Sequence, residues 1–273
     1  MNKYNVLIIG AGGQGALADI PGSLNENKII SYAHAFKEHK GFTIKEFLDI
    51  DDNKIIEAYK IWEIEIPKYF KSRQENKIHK DDCGPLLNID IAVVSTPDNT
   101  HYEILKQLAE YPLKLVICEK PICTDLQQAK EIVELYKTNG IPLMVDYTRR
   151  FIPELEALKQ YGPPELAICE FNRGFLHSGS HAVDMFNMLE AKNIRLIEVP
   201  LESERIWKIN LYWKDKHWQE KRIGNDPVPE YYSNHMKYVA ENAYNFLEGK
   251  EELKCTGEMA LKSLEMCFEL MNK

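Results

Sequence analysis

Lys120 stands where an ammonium group could act on a bound small molecule. It lies in the tripeptide Glu119-Lys120-Pro121, directly after the apolar run 115–118. Taken alone, the tripeptide would be better explained by an ordinary loop lysine, so the interpretation depends on what surrounds it. A lysine at the carboxyl end of a buried parallel strand would, however, lie beside anything that binds at that edge of the sheet.

A glycine-rich segment near the start of the chain indicates what would bind there. The apolar run 5–9 predicts a buried strand, and it leads directly into G-x-G-x-x-G at residues 10–15. The first glycine allows a tight turn, the second lets backbone N–H groups approach a pyrophosphate, and the third lets a helix pack closely on the strand. The motif therefore predicts a dinucleotide site at Gly10, Gly12, Gly13, Gln14 and Gly15.

Asp49 ends the next predicted strand, at residues 42–48, and is the candidate for ribose recognition. A carboxylate there accepts hydrogen bonds from a ribose diol and repels a 2′-phosphate, which favours NAD over NADP without excluding NADP. Asp51 and Asp52 are alternatives. The spacing from the glycines to Asp49 exceeds the usual roughly 20 residues. We place the excess in a loop at 16–25, which either rises over the site or is a surface insertion.

Strands and helices alternate up to about residue 150, which predicts a doubly wound parallel α/β sheet. Further strands are expected at 90–95, 113–118 and 141–145. Helices are expected at 29–36, 53–62, 101–108 and 125–136, with a loop at 77–85. Residues that follow the strand ends are candidates to line the nicotinamide pocket: Thr96, Pro97, His101 and Glu119.

Beyond residue 150 the pattern becomes that of a smaller α+β domain with a mostly antiparallel open sheet. Its predicted strands are 165–172, 204–213 and 217–223, and its predicted helices are 181–191, 234–247 and 256–271. We therefore expect a Rossmann domain at 1–148 and a substrate-binding and oligomerisation domain at 149–273. An exposed apolar face on so small a sheet would need a cover, which suggests a homodimer through this sheet.

The composition and charge of the chain limit the kinds of partner that it is expected to bind. A net charge of −8 over 273 residues and a pI near 5.6 argue against binding nucleic acid. The apolar runs are shorter than a membrane span and no signal-peptide pattern is present, so the expected compartment is the cytoplasm. The six cysteines show no metal-ligand spacing and are expected to be reduced, so no metal site is predicted.

The order of these signals resembles the glucose-fructose oxidoreductase / inositol dehydrogenase / MocA-like family over nearly the whole chain. The resemblance is carried by residues 10–15, 49–51, 95–97 with His101, 119–121 and 179–184 (Gly-Ser-His-Ala-Val-Asp). It implies a nicotinamide-dependent oxidoreductase that acts on a sugar or polyol, with Lys120 and His181 in the active site. The family commonly has an aspartate four positions before that histidine, where this chain has His177.

The chemistry of alcohol oxidation assigns roles to these groups. A base must accept the hydroxyl proton, and His181, near a predicted helix start that favours neutral imidazole, is the candidate. Lys120 would donate to the substrate oxygen and stabilise developing alkoxide. His177 would continue the proton relay or line the pocket. We expect Lys120 and His181 to converge on one carbon, although His181 could instead be a core histidine.

The substrate is predicted only by class. Tyr147 and Arg149 follow a strand end, so they could bind a hydroxyl-rich or phosphorylated substrate or form a solvated hinge. Asp184 could contact the substrate or only fix its helix. A sugar or nucleotide-sugar dehydrogenase is favoured. The alternatives are a non-catalytic NAD-binding metabolite sensor, favoured by the histidine at 177, and a glycoside hydrolase in which bound NAD transiently oxidises the sugar.

Overall fold

The structure is a computed structural model that describes residues 2–23, 25, 27–65, 88–200 and 204–271. The chain divides into two compact units. The first contains Met1–Asp146 and Ser233–Gly257, and the second contains Tyr147–Tyr232 and Glu258–Lys273. The chain first passes from one unit to the other after Asp146, two residues before the predicted boundary. It returns to the first unit at Ser233, whereas the sequence predicted a single boundary between two domains.

The helices and strands of the described residues are as follows. The strands are β1 Tyr4–Ile9, β2 Phe42–Leu48, β3 Ile91–Val94, β4 Leu115–Glu119, β5 Leu143–Asp146, β6 Leu166–Phe171, β7 Ile194–Glu198, β8 Ile206–Trp213 and β9 Lys216–Ile223. The α-helices are α1 Tyr32–Glu38, α2 Asp52–Ile61, α3 His101–Leu108, α4 Leu126–Asn139, α5 Pro153–Glu156, α6 Ser180–Met188, α7 His235–Leu247 and α8 Gly257–Met271.

The first unit is built on a parallel sheet, as predicted. Among the described residues its strand order is β2-β1-β3-β4-β5, and every pairing is parallel. All residues of β3 and β5 are buried, because a parallel sheet covered by helices leaves neither face to water. The carboxyl ends of β1, β3, β4 and β5 therefore lie along one edge, which is where the candidate residues of this unit are found.

Helix α1 starts later than the periodicity predicts, at Tyr32 instead of Ile29. The cause is Asp19, whose buried carboxylate accepts hydrogen bonds from the backbone N–H groups of Ile30 (2.6 Å) and Ser31 (2.9 Å). The Ser31 hydroxyl then caps the helix by accepting from the His34 N–H. Asp19 thereby fixes part of the predicted 16–25 loop, while the role of that loop over the site stays a prediction.

The returning segment joins the first unit through aromatic packing. Tyr244 on α7 lies edge-on against Tyr4 and Phe42, with ring centroids 6.1 and 5.8 Å apart. The backbone N–H of Ile29 also donates to the Ser233 carbonyl at 2.8 Å. Helix α7 was predicted at the observed position, but its partners could not be read from its own amphipathic pattern.

The second unit contains a mixed sheet of order β7-β6-β8-β9 in the described residues. The β6–β8 and β8–β9 pairs are antiparallel, as predicted. Strand β7 was not predicted, and it pairs with β6 in parallel. The helix α6 between them makes the crossover that a parallel pair requires. The apolar residues of β7 are half-buried or exposed, and Arg195 interrupts them. The segment therefore lacks the continuous buried pattern by which the other strands were predicted.

The two faces of this sheet differ. Trp207, Ile209 and Leu211 are buried, as the alternation predicts. The opposite face is mixed: Lys208 pairs with Glu170 at 2.9 Å, whereas Ile197 and Tyr212 are exposed. The apolar face predicted from the sequence is thus covered within the chain, and exposed apolar side chains lie on the other face. The homodimer stays a prediction, which a monomeric mass in light scattering would refute.

Two remaining expectations concern cysteines and membranes. The described cysteines are buried free thiols. Cys83 and the predicted loop at 77–85 lie outside the described residues. No helix in the part of the chain that the structure describes is both long and apolar enough to cross a membrane.

Candidate active site

The glycine loop has the geometry that its motif predicts. Gly10 has a φ of 94°, and a Cβ there would overlap the backbone of Ser95. A Cβ on Gly15 would overlap the Gly10 carbonyl. Gly12 and Gly13 face open space, with no atom within 4 Å of an added Cβ in the described structure. The loop is therefore closed against the sheet on one side and open on the side where a pyrophosphate would approach.

Asp49 lies directly beside this loop. Its Oδ2 accepts a hydrogen bond from the Ala11 N–H at 2.8 Å, and its Oδ1 accepts one from the Asp51 N–H at 3.0 Å. Each oxygen keeps a further lone pair for a ribose hydroxyl. Asp51 instead caps α2 through the Asn53 N–H, and Asp52 lies in the first turn of that helix. This arrangement favours Asp49 among the three candidates.

Lys120 follows a strand end that carries an acidic pair. Glu119 at the end of β4 and Asp146 at the end of β5 are neighbours in the sheet register. The Tyr32 hydroxyl donates to Asp146 Oδ2 at 2.9 Å. Burial, together with the charge of Asp146, raises the pKa of Glu119 to about 8, and the charge of Lys120 opposes this rise. The positive charge of Lys120 thus acts on a carboxyl group whose ionisation is disfavoured by burial and by Asp146.

His101 connects the Lys120 turn to the loop after β3. Its buried ring has Nδ1 2.8 Å from the Pro121 carbonyl oxygen and Nε2 2.9 Å from the Thr96 carbonyl oxygen. Burial lowers the pKa of His101. Because both nitrogens contact the protein backbone, the geometry favours a positioning role for His101 over direct contact with a cofactor. Pro97 follows Thr96 and begins a 3₁₀ turn.

His181 lies in the first turn of α6, in the second unit. The helix is entered through a π-helical turn at Phe175–Gly179, which contains the exposed His177. The His181 ring lies edge-on to Tyr147 and Trp207, at centroid distances of 6.1 and 6.5 Å. The half-buried imidazole is thus oriented by two aromatic rings.

Asp184 has its carboxylate turned into the second unit. It is fully buried, with Arg150 Nε at 3.0 and 2.9 Å from its two oxygens. The Ser263 hydroxyl donates to Oδ1 at 2.8 Å. Burial raises the pKa of Asp184 to about 6, against the opposing charge of Arg150. This geometry favours a role in fixing α6 over the predicted contact with substrate.

The other two predicted substrate residues are buried near His181. Tyr147 is 1% exposed and Arg149 is 4% exposed, so they do not form a solvated hinge. The Arg149 guanidinium lies 4.4 Å from the centroid of the Trp207 ring. Tyr147 therefore contacts the His181 ring directly, and Arg149 lies on the Trp207 ring that contacts it as well.

Sequence reasoning missed Asp146, Tyr32 and Trp207 as members of the candidate site. Asp146 carried a usable signal, since it follows a buried strand in the same way as Asp49. Tyr32 reaches the sheet edge from α1, and Trp207 reaches His181 from β8. Neither contact leaves a local pattern in the sequence.

The first part of the chain matches a known protein family. Residues 4–147 match the family model GFO_IDH_MocA, described as an oxidoreductase family with an NAD-binding Rossmann fold. The chain belongs to this family. The match covers the glycine loop, Asp49 and Lys120, so an NAD-binding Rossmann fold is shown for residues 4–147.

Individual relatives match shorter segments. Inositol 2-dehydrogenase of Rhizobium meliloti (strain 1021) is 32% identical over 73 residues, covering 27% of this chain and 22% of that protein. The uncharacterised oxidoreductase C26H5.09c of Schizosaccharomyces pombe is 41% identical over 64 residues, covering 23% and 17%. The matched segments thus span less than a quarter of either relative.

A solved structure matches the whole chain. It is the UDP-N-acetylglucosamine 3-dehydrogenase GnnA from Acidithiobacillus ferrooxidans, with a TM-score of 0.73 and 12% identity. The alignment covers 100% of this chain and 98% of that one. At this identity the likeness shows a shared fold alone.

Proposed function

We propose that this chain is an NAD-dependent dehydrogenase or reductase that transfers a hydride between nicotinamide and a secondary alcohol of a sugar, nucleotide sugar or polyol. The observation that carries the proposal is the glycine loop, where Gly10 and Gly15 occupy positions that admit no side chain. Lys120 follows a strand that ends at the same edge of the sheet. Membership of the oxidoreductase family supports it.

The cofactor would be held by backbone and carboxylate groups of the first unit. The open backbone at Gly12 and Gly13 would receive the pyrophosphate, and Asp49 the adenosine ribose. A carboxylate at this point disfavours the 2′-phosphate of NADP. The bound nicotinamide would supply the acceptor or donor of the hydride.

Two side chains would handle the substrate hydroxyl. The Lys120 ammonium donates a hydrogen bond to the oxygen and stabilises negative charge as it develops. The His181 imidazole accepts the hydroxyl proton, and the exposed His177, four residues earlier, passes it to water. His101 holds the Lys120 turn through the Pro121 carbonyl. We propose that Lys120 and His181 act on the same carbon.

The test is NADH absorbance with purified full-length protein, NAD and a panel of UDP-sugars, sugar acids, sugars and inositols. At least one compound should give net NADH. With that compound, Lys120→Ala or His181→Ala should lower kcat about 10²- to 10⁴-fold, the usual value of positioned acid-base catalysis. The affinity for NAD should change by no more than a few-fold. Lys137→Ala and His217→Ala, both exposed, are matched controls and should retain full activity.

Other outcomes would overturn the proposal. Wild-type kcat in both variants would remove the mechanism. Cleavage of a glycosidic bond without net NADH would indicate the hydrolase, which product analysis by mass spectrometry would detect. Tight NAD binding with neither NADH nor cleavage across the panel would indicate the sensor.

A further inference from the structure

Four arginines gather at one end of the second-unit sheet. Arg173 follows β6, Arg205 precedes β8, and Arg222 on β9 pairs in register with Trp207. Because β6, β8 and β9 run antiparallel, the end of β6, the start of β8 and the end of β9 lie side by side. Arg149 reaches the same place, with its guanidinium stacked on Trp207. We call these four residues the arginine cluster.

Two members of the cluster are buried. Arg149 is 4% exposed and Arg222 is 8% exposed, whereas Arg173 and Arg205 are exposed. Both buried guanidiniums lie over the Tyr232 ring, each 5.3 Å from its centroid. Stacking on aromatic rings orients a guanidinium plane without neutralising its charge.

The carboxylate of Glu220, which lies beside these arginines, already accepts hydrogen bonds from neighbouring side chains. Glu220 Oε1 accepts a hydrogen bond from Trp207 Nε1 at 2.9 Å, and Oε2 accepts one from the Tyr231 hydroxyl at 2.6 Å. Its distance to Arg222 Nε is 3.7 Å, which is too long for a hydrogen bond. Arg149 forms no ion pair with any carboxylate of the described residues, and its Nε has no hydrogen-bond partner among them.

The charges of the cluster act on one another. Partial desolvation of the Arg205 guanidinium, although the residue as a whole is exposed, and the guanidiniums of Arg222, Arg173 and Arg149 lower the pKa of Arg205. Burial and the charge of Arg149 likewise lower the pKa of Arg222. A buried cation without an anion is unfavourable, and an excess of positive charge around one carboxylate is the arrangement that an added oxyanion would relieve.

We propose that the arginine cluster binds an oxyanion of the substrate, either a phosphate or a carboxylate. Planar guanidiniums match both groups, since each offers parallel N–H donors to two oxygens. Trp207 connects this site to the reaction centre, because its ring contacts both Arg149 and His181. The substrate is therefore an anionic sugar and not a neutral polyol. It is a sugar phosphate or nucleotide sugar if the cluster binds phosphate, and a sugar acid if the cluster binds carboxylate.

That substrate class rests on the proposed function, whereas the anion site itself does not. Isothermal titration calorimetry of the full-length protein with NAD present would test the site without requiring turnover. The probes are UDP and inorganic pyrophosphate for phosphate, D-glucuronate for carboxylate, and myo-inositol as the neutral comparison. The matched variants are the double variant Arg173→Gln/Arg205→Gln, which alters exposed members of the cluster, and Arg195→Gln, an exposed arginine on β7 outside it.

We expect the wild type to bind at least one anion more tightly than myo-inositol, with an affinity that falls as salt rises. The double variant should weaken that binding by about tenfold or more, while Arg195→Gln leaves it unchanged. The tighter of the phosphate and carboxylate probes identifies the group. Equal binding by the double variant and Arg195→Gln, or no anion binding by the wild type, would overturn the site. Anion binding that depends on the cluster, but without NADH formation, would overturn the proposed function alone.

Discussion

Glu119 should make the protein less stable as the pH rises. Its carboxyl group has a pKa of 4.5 when unperturbed and about 8 in the folded chain, because burial and Asp146 disfavour the charged form. Between these values the folded state holds a proton that the unfolded state has released. The free energy of unfolding must then fall with increasing pH across this window, and be independent of Glu119 below it.

The magnitude follows from the size of the shift. Each unit of pKa difference corresponds to about 1.4 kcal/mol, so the full shift is worth about 5 kcal/mol. The residue as a whole is half-buried although its Oε1 is enclosed, so solvent screening reduces this value. We therefore expect about 2 to 4 kcal/mol between roughly pH 5 and pH 8. For a chain of this size that is roughly 5 to 15 °C in Tm.

The assay is thermal unfolding of the wild type and Glu119→Gln across this pH range. The amide keeps the shape of the protonated acid and has no charge to release, so the variant should lose the downward slope and be the more stable protein at about pH 8. Glu131→Gln is the control, because Glu131 is 51% exposed and lies on the surface of α4. Parallel Tm profiles for the wild type and Glu119→Gln would refute the reasoning.

Three further expectations concern the scaffold of the site. Arg150→Met should destabilise the protein by about 3 to 5 kcal/mol in urea unfolding, because it leaves Asp184 buried without its cation. Adding Asp184→Asn should recover most of that loss, and no recovery would contradict the pairing. His101→Leu should lower kcat with little change in NAD affinity, since it releases the Lys120 turn, and His101→Gln should restore part of the rate. Gly15→Ala should weaken NAD binding at least about tenfold in fluorescence titration, or unfold the first unit by circular dichroism, because a Cβ there meets the Gly10 carbonyl.

Features encoded by neighbouring residues were predictable. The strand 5–9 followed by spaced glycines, and the buried runs that end at Asp49 and Lys120, are visible because continuous apolar residues are typical of parallel strands. The structure confirms the parallel sheet. The predicted roles of Lys120 and His181 stay predictions, which the kinetic variants test.

Features that depend on distant residues were not predictable. Asp19 delays the start of α1 through contacts that no periodicity reveals, and β7 hides its strand character behind half-exposed side chains. The arginine cluster is the clearest case. Its members are scattered along the sequence, and only the register of β6, β8 and β9 brings them to one end of a sheet.

The central claim, that Lys120 and His181 serve one reaction at one carbon, is tested most directly by a double-mutant cycle on kcat. The measurement compares Lys120→Ala, His181→Ala and the combined variant with the substrate that the NADH panel identifies. Groups that act together in one transition state give strongly non-additive losses. We predict that the combined variant is within a few-fold of the slower single variant. Losses that multiply would show that the two side chains act independently, and would contradict the account.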